Sequence, residues 1–217
     1  MKRAHLKLIA LAALAAAAGW RLFRPPTTTV LTFRIGQSFE EVVKNSSYPV
    51  IEQSNIPTHA WLQAGGTYVT APAVVIHFDD PKHGFHLPPT KFATLSYLEN
   101  RVASIATTPM LNKLPFDEAV AILENLQNQF KAGGWEPWEV DDSTWFDFTP
   151  DGKKRLYARM FEPGYMETQS LRVPKKYGMT FRLWCAEGCM TREPPYLFLI
   201  DVGVGSDVYG WEPGDRE

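Results

Sequence analysis

Three histidines lie close together in the first half of the chain and have side chains that could bind a metal ion. They are His77, His83 and His86. Imidazole nitrogens are common zinc ligands, and Asp79 and Asp80 would add carboxylate oxygens. The segment from Asp79 to Pro89 contains three prolines and a glycine, whereas catalytic zinc motifs usually present paired histidines from a regular helix. We therefore interpret this segment as a solvated loop, expect no cofactor, and keep the metal site as a secondary hypothesis.

The chain has two cysteines, Cys185 and Cys189, with Ala-Glu-Gly between them. An oxidising compartment permits a disulfide, and Gly188 lets the turn tighten until the two Cα atoms lie within about 7 Å. The alternative is a pair of free thiols near a strand end. The spacing is one residue longer than that of redox-active pairs, so we predict a structural disulfide.

No motif for a catalytic nucleophile is found. The run Gly203-Val204-Gly205-Ser206-Asp207 has Val208 after it and no helical pattern, unlike a phosphate-binding loop. Its serine is not in the strand-to-helix elbow of a hydrolase. Five carboxylates between residues 136 and 147 could supply a general acid and base, so a hydrolase that uses this acidic stretch stays open as an alternative.

The stretch from Trp135 to Phe148 mixes large rings with carboxylates. Alternation over Trp145-Phe146-Asp147-Phe148 places the two phenylalanines on one face and the tryptophan with the aspartate on the other. One interpretation is that the rings belong to the core. The other is an interface for a basic partner surface, because rings bordered by carboxylates suit such a surface. The residues predicted to bind the partner are Trp138, Asp141, Asp142, Trp145 and Asp147.

Periodicity predicts two units of helix followed by strands. Ser38 with Glu41 forms a capping-box pattern for a short helix, and strand patterns follow it up to Thr107. Between the last two of these strands, Glu99-Asn100-Arg101 predicts a hairpin turn. A longer helix begins at Pro115 and ends at Gly133-Gly134, with apolar residues at intervals of three and four. After it we predict strands at Thr144–Phe148 and Arg155–Phe161, with a turn at residues 150–152. Further strands are predicted at Met179–Cys185 and Tyr196–Val204.

These patterns predict an α+β fold of two lobes, each a helix on an antiparallel sheet, and leave open whether both lobes share one continuous sheet. The lobes are expected at residues 30–112 and 113–217. Around Gly36–Val43 the first lobe resembles small periplasmic lipoproteins of the SmpA/OmlA type and the tandem-lobed β-lactamase inhibitor proteins. That resemblance implies a binding role in which a sheet face or its loops grip another protein.

The N-terminus has the pattern of an export signal. Lys2, Arg3 and Lys7 precede the apolar run Leu8–Ala18, and small residues near Ala18 suit a signal peptidase. We therefore predict a targeting helix at residues 1–24 and a proline-stiffened tether at residues 25–29. Cleavage near Ala18 would leave a soluble periplasmic protein, whereas retention would anchor the chain in the inner membrane through residues 6–23.

The charge balance argues against nucleic acid as a partner. The whole chain has 22 basic and 24 acidic residues, and removal of residues 1–18 would leave 19 basic ones. A mildly acidic exported domain does not suit a polyanion but suits a basic protein. The sequence therefore predicts a non-enzymatic periplasmic binding protein, an immunity or inhibitor protein that neutralises a secreted toxic effector enzyme. An envelope-assembly accessory protein is the first alternative.

Overall fold

The computed structural model describes residues 29–56, 64–138 and 143–207. Within these ranges the chain forms three helices and ten strands, which divide between two sheets. The helices are α1 Phe39–Asn45, α2 Phe116–Ala132 and α3 Pro150–Arg159. The strands are β1 Thr29–Phe33, β2 Gly65–Val69, β3 Val74–Phe78, β4 Phe85–Thr90, β5 Ala93–Leu98, β6 Arg101–Thr107, β7 Glu136–Pro137, β8 Met166–Val173, β9 Tyr177–Glu187 and β10 Leu197–Ser206.

The larger sheet has seven strands in the order β2-β5-β6-β10-β9-β8-β7, and every neighbouring pair is antiparallel. Strand β6 pairs with β10, where Ile105 lies opposite Val204. This pairing joins strands from the first predicted lobe to strands from the second. The predicted α+β class is confirmed, and one sheet takes strands from both lobes.

The smaller sheet has the order β1-β3-β4, with β1 parallel to β3 and β3 antiparallel to β4. The chain leaves β1 through a turn at Gly36, whose φ of +81° favours glycine. Helix α1 then begins as predicted, because the Ser38 hydroxyl accepts from the Glu41 amide and the Glu41 carboxylate accepts from the Ser38 amide.

Helix α2 connects the two sheets through aromatic contacts. Its fully buried Phe130 lies 5.0 Å, centroid to centroid, from Phe85 of β4 and 5.1 Å from Phe181 of β9. Near the other end, Phe116 lies 5.4 Å from Phe198 of β10. We call the face of the large sheet that packs on α2 the inner face, and the opposite one the outer face.

A second contact fixes the smaller sheet to β9. The Tyr177 hydroxyl donates to Asp80 Oδ2 at 2.8 Å, and the Tyr177 ring stacks on Trp135 at 5.9 Å. Burial, together with the hydrogen bond to Asp80, raises the pKa of Tyr177 to about 12. The phenol therefore stays protonated over the physiological range and keeps its donor role.

Helix α3 replaces the turn and strand predicted at residues 150–161, so that prediction was wrong. The Thr149 hydroxyl accepts from the Gly152 amide and Pro150 occupies the first turn, which are the features of a helix start. Leu156 and Met160 are buried four residues apart, a helical spacing that also fits strand alternation. The ambiguity of this spacing explains the error.

Three other local predictions differ from the structure. Residues 144–148, predicted as a strand, have no regular secondary structure. The predicted loop at residues 79–89 ends in strand β4, in which Phe85 and Leu87 alternate with exposed His86. Strand β8 was not predicted, because most of its residues are polar. The turn at Glu99-Asn100 is confirmed, and both residues have the positive φ that two-residue hairpins require.

Some predictions fall outside the described residues. They concern the targeting segment at 1–24, most of the tether at 25–29, and the acidic residues Asp141 and Asp142. Within the described ranges, no helix has the length and apolar character needed to cross a membrane.

Candidate functional site

The predicted disulfide is present. Cys185, near the end of β9, is bonded to Cys189 in the connection to β10, with their Cα atoms 6.2 Å apart. Gly188 between them has a φ of +85°, and a Cβ there would lie 2.5 Å from the carbonyl oxygen of Glu193. The turn therefore requires glycine at this position.

The three histidines are divided between two environments. His83 is buried, and its Nδ1 lies 2.7 Å from the carbonyl oxygen of Gly133 at the end of α2. His77 and His86 are cross-strand neighbours whose rings stack with centroids 4.1 Å apart. In the described ranges, no three histidine, cysteine or acidic side chains come together as a metal site would require. The structure thus gives His83 a packing role beside Tyr177 rather than a place next to the other two.

Two of the predicted partner-binding residues, Trp138 and Trp145, lie near strand β7 but differ in their contacts. Trp145 packs against the core, with the Lys131 ammonium 5.0 Å from its ring centroid. Trp138 is half-buried, and its backbone amide donates to the carbonyl oxygen of Ser170. Arg172 lines one cavity together with Trp138 and a neighbouring one together with Trp145. The two tryptophans therefore border the same arginine at this end of the sheet.

Asp147, the other predicted partner-binding residue in the described chain, is used within the fold. Its Oδ1 accepts from the Thr149 amide, and its Oδ2 accepts from Arg155 at 2.6 Å. The hydrogen bonds from Thr149 lower the pKa of this carboxyl group, and the Arg155 guanidinium lowers it further. Asp147 thus stabilises the start of α3.

The outer face of the large sheet is the most distinctive surface of the structure. Along β9 and β10 every second residue is buried against the helices, and the residues between them point outward. No helix or strand among the described residues covers this outer face. The outward residues at its centre are small: Ser96 on β5, Ser104 and Ala106 on β6, Gly203 and Gly205 on β10, Gly178 and Thr180 on β9, and Ser170 on β8.

All of these small residues except Ser96 line a depression that we call the outer trough. It consists of two cavities of about 320 and 260 Å³ that share Thr180 and Gly203. Trp138 lines one end, and Phe92, with 57% of its surface exposed, lines the other. A flat floor with rigid rings at its margins has the anatomy of a protein-binding surface.

The outward glycines are not required by the fold. A Cβ at Gly203 would have its nearest neighbour at 3.7 Å, and one at Gly205 at 3.5 Å, which are ordinary packing distances. Neither residue has a positive φ. Glycine in a strand interior costs roughly 0.5–1 kcal/mol relative to alanine and often marks the close approach of another backbone or a ligand. These positions therefore favour a role in binding.

The edges of the sheets are less accessible than the outer face. At the β2 edge the Tyr68 amide donates to the carbonyl oxygen of Gln53, and at the β4 edge the His86 amide donates to the side chain of Gln129. The β7 edge is two residues long and contains Pro137. Covered, short or proline-containing edges resist the addition of a foreign strand. A partner therefore has better access to the outer face.

Comparison with known proteins adds nothing to the geometry. The chain matches no family model, and neither a curated protein nor a solved structure matches it.

One feature of the sequence, apart from its motifs, indicates this surface. Gly203 and Gly205 are two residues apart in an otherwise apolar segment, as expected for one face of a strand. This run matches neither a phosphate-binding loop nor a hydrolase elbow, so motif patterns alone leave it without a role. Its partners Ser104 and Gly178 come from distant segments, and the pairing of β6, β10 and β9 brings them together.

We predict that alanine at the trough glycines does not destabilise the fold. Gly203→Ala and Gly205→Ala should leave the free energy of unfolding unchanged or raise it by up to about 1 kcal/mol, since their Cβ atoms find room. Gly84→Ala is the control, because its Cβ would lie 2.8 Å from the carbonyl oxygen of Phe78. That variant should lose about 1–3 kcal/mol in urea unfolding. A loss of similar size in Gly203→Ala would show that the fold itself needs the glycine.

The stacked histidine pair predicts acid sensitivity. Desolvation lowers the pKa of His77, and the nearby His86 lowers it further. As the pH falls below about 6.5, the unfolded chain takes up a proton that the folded chain resists, so the free energy of unfolding falls. In urea unfolding between about pH 7.5 and about pH 5, His77→Gln should lose less stability than the wild type. Equal losses would contradict this linkage.

Proposed function

We propose that this protein is a non-enzymatic binding protein of the periplasm that holds another protein on its outer trough. The observation that carries the proposal is the uncovered outer face, with its floor of small residues and aromatic margins. The N-terminal pattern of a basic segment and an apolar run supports export. The internal disulfide is compatible with an oxidising compartment.

We propose further that the partner is a secreted toxic effector enzyme and that the protein acts as its inhibitor, as an immunity protein does. The rigid sheet supports this role, because a preorganised surface loses little entropy on binding. The carboxylates that neighbour Trp138 in the sequence, at residues 136–142, would attract a basic region of the partner and steer its approach. The inhibitor would then occupy a surface that the enzyme needs for its substrate.

Site-specific photo-cross-linking in the full-length protein tests this proposal. A benzophenone amino acid at Ser104 or Thr180 would report on the outer trough. The same residue at Ala121 or Asn128, exposed on α2, serves as the matched control. We expect one secreted enzyme to be cross-linked from the trough positions and not from the helix positions. Purified binding protein should also inhibit that enzyme at equal molar amounts.

Three outcomes would contradict the proposal. Identical cross-linked products from the trough positions and the helix positions would show that the outer face is not the specific binding surface. A trough-specific product that is an envelope-assembly protein, or an enzyme that keeps its activity in the complex, would exclude the inhibitor role.

A further inference from the structure

Arg182 introduces a cationic group into the outer trough. It lies on the outward side of β9 and lines the cavity that contains Phe92 and Thr180. Its Nε is buried and has no hydrogen-bond partner in the part of the chain that the structure describes. The guanidinium also makes no ion pair within 4 Å among those residues. A buried donor without an acceptor is costly, and an incoming acceptor would remove that cost.

The nearest cross-strand carboxylate is engaged elsewhere. Asp201 lies opposite Arg182 on β10, but its Oδ1 accepts from the Thr108 hydroxyl at 2.6 Å. Its Oδ2 accepts from the Trp184 indole at 2.9 Å. Asp201 and Arg182 line the same cavity, but no ion pair within 4 Å joins them. At the opposite end of the trough, Arg172 already has Glu136 at 3.4 Å. Arg182 is therefore the arginine of the trough whose guanidinium makes no ion pair among the described residues.

The floor of the trough restricts the shape of what can reach Arg182. Gly178 and Gly203 leave the sheet backbone open beside Thr180. An extended chain can approach such a floor closely, whereas a helix with its side chains is about 10–12 Å wide. Guanidinium groups bind carboxylates through paired hydrogen bonds and thereby select them over neutral acceptors.

We propose that the outer trough binds an extended segment of the partner protein whose Asp or Glu carboxylate accepts hydrogen bonds from Arg182. This inference rests on the proposed function and specifies its recognition chemistry. The partner would thus present two kinds of surface. An acidic residue enters the trough, and a basic region is attracted by the carboxylates that neighbour Trp138 in the sequence.

Peptide binding to the full-length protein, followed by NMR at the amides of Gly178, Gly203 and Gly205, tests this inference. The probes are acetyl-Ala-Gly-Glu-Gly-Ala-amide and its Gln and Lys counterparts. We expect the wild type to bind the Glu peptide at least about 10-fold more tightly than the Gln peptide. Arg182→Gln should bring this ratio close to one, and Arg182→Lys should restore part of it. Arg192→Gln, an equal charge change in the exposed loop between β9 and β10, should leave the ratio as it is.

Three results would overturn the inference. They are equal binding of the Glu and Gln peptides by the wild type, a Glu preference that survives in Arg182→Gln, and no shift with any peptide at about 1 mM. If Thr180 cross-links to an enzyme and any of these three results is obtained, the proposed function stands and only the recognition of a carboxylate by Arg182 is wrong. If the Glu peptide binds selectively but no enzyme is cross-linked, the recognition of a carboxylate by Arg182 stands and the proposed function is wrong.

Discussion

The packing of Phe130 between Phe85 and Phe181 is the interaction on which the rest of the structure depends. Phe85 belongs to the small sheet and Phe181 to the large one, so a single ring on α2 joins both sheets. Trp135, at the end of the helix, extends the contact to Tyr177. Burying large rings supplies much of the hydrophobic stabilisation of a domain this size. Without this contact, the small sheet would be held to the large one mainly through Tyr177, which contacts Asp80 and Phe78.

One consequence is that the large sheet is stabilised from one side only. Its inner face provides the apolar contacts with the helices, so the outer face is free to carry residues that add little to packing. Small outward residues such as Gly203 and Ser104 would weaken a sheet that had no such support. On the outer side, the Trp184 indole donates a hydrogen bond to Asp201, which orients both polar side chains. An outer face that no described helix or strand covers is thus compatible with a stable fold.

Local patterns in the sequence predicted the elements that follow from adjacent residues. The capping box at Ser38, the long apolar face of α2 and the two-residue turn after Leu98 each depend on a few neighbouring positions. Helix α3 was missed because Leu156 and Met160 fit two periodicities and only tertiary packing decides between them. Strand β8 was missed because its polar outward residues hide the alternation of Leu171 and Val173.

The candidate site was predicted less well than the fold. The sequence indicated Trp138 and Trp145 as surface anchors, and the structure places both beside Arg172. It could not indicate the trough, because Ser104, Gly178 and Gly203 become neighbours only through strand pairing between segments far apart in the chain. That Arg182 makes no ion pair among the described residues has the same origin. Its lack of an acceptor depends on where Asp201 and Trp184 lie.

The central claim is that the outer trough is the binding surface, and the affinity of a Thr180→Trp variant for the cross-linked partner tests it most directly. Thr180 lies where the two cavities of the trough meet, and an indole there would fill the floor without entering the core. The account predicts that affinity falls by at least about 100-fold. The free energy of unfolding should change by no more than about 0.5 kcal/mol. Asn128→Trp, on the exposed side of α2, should bind normally. Unchanged affinity in Thr180→Trp would contradict the account.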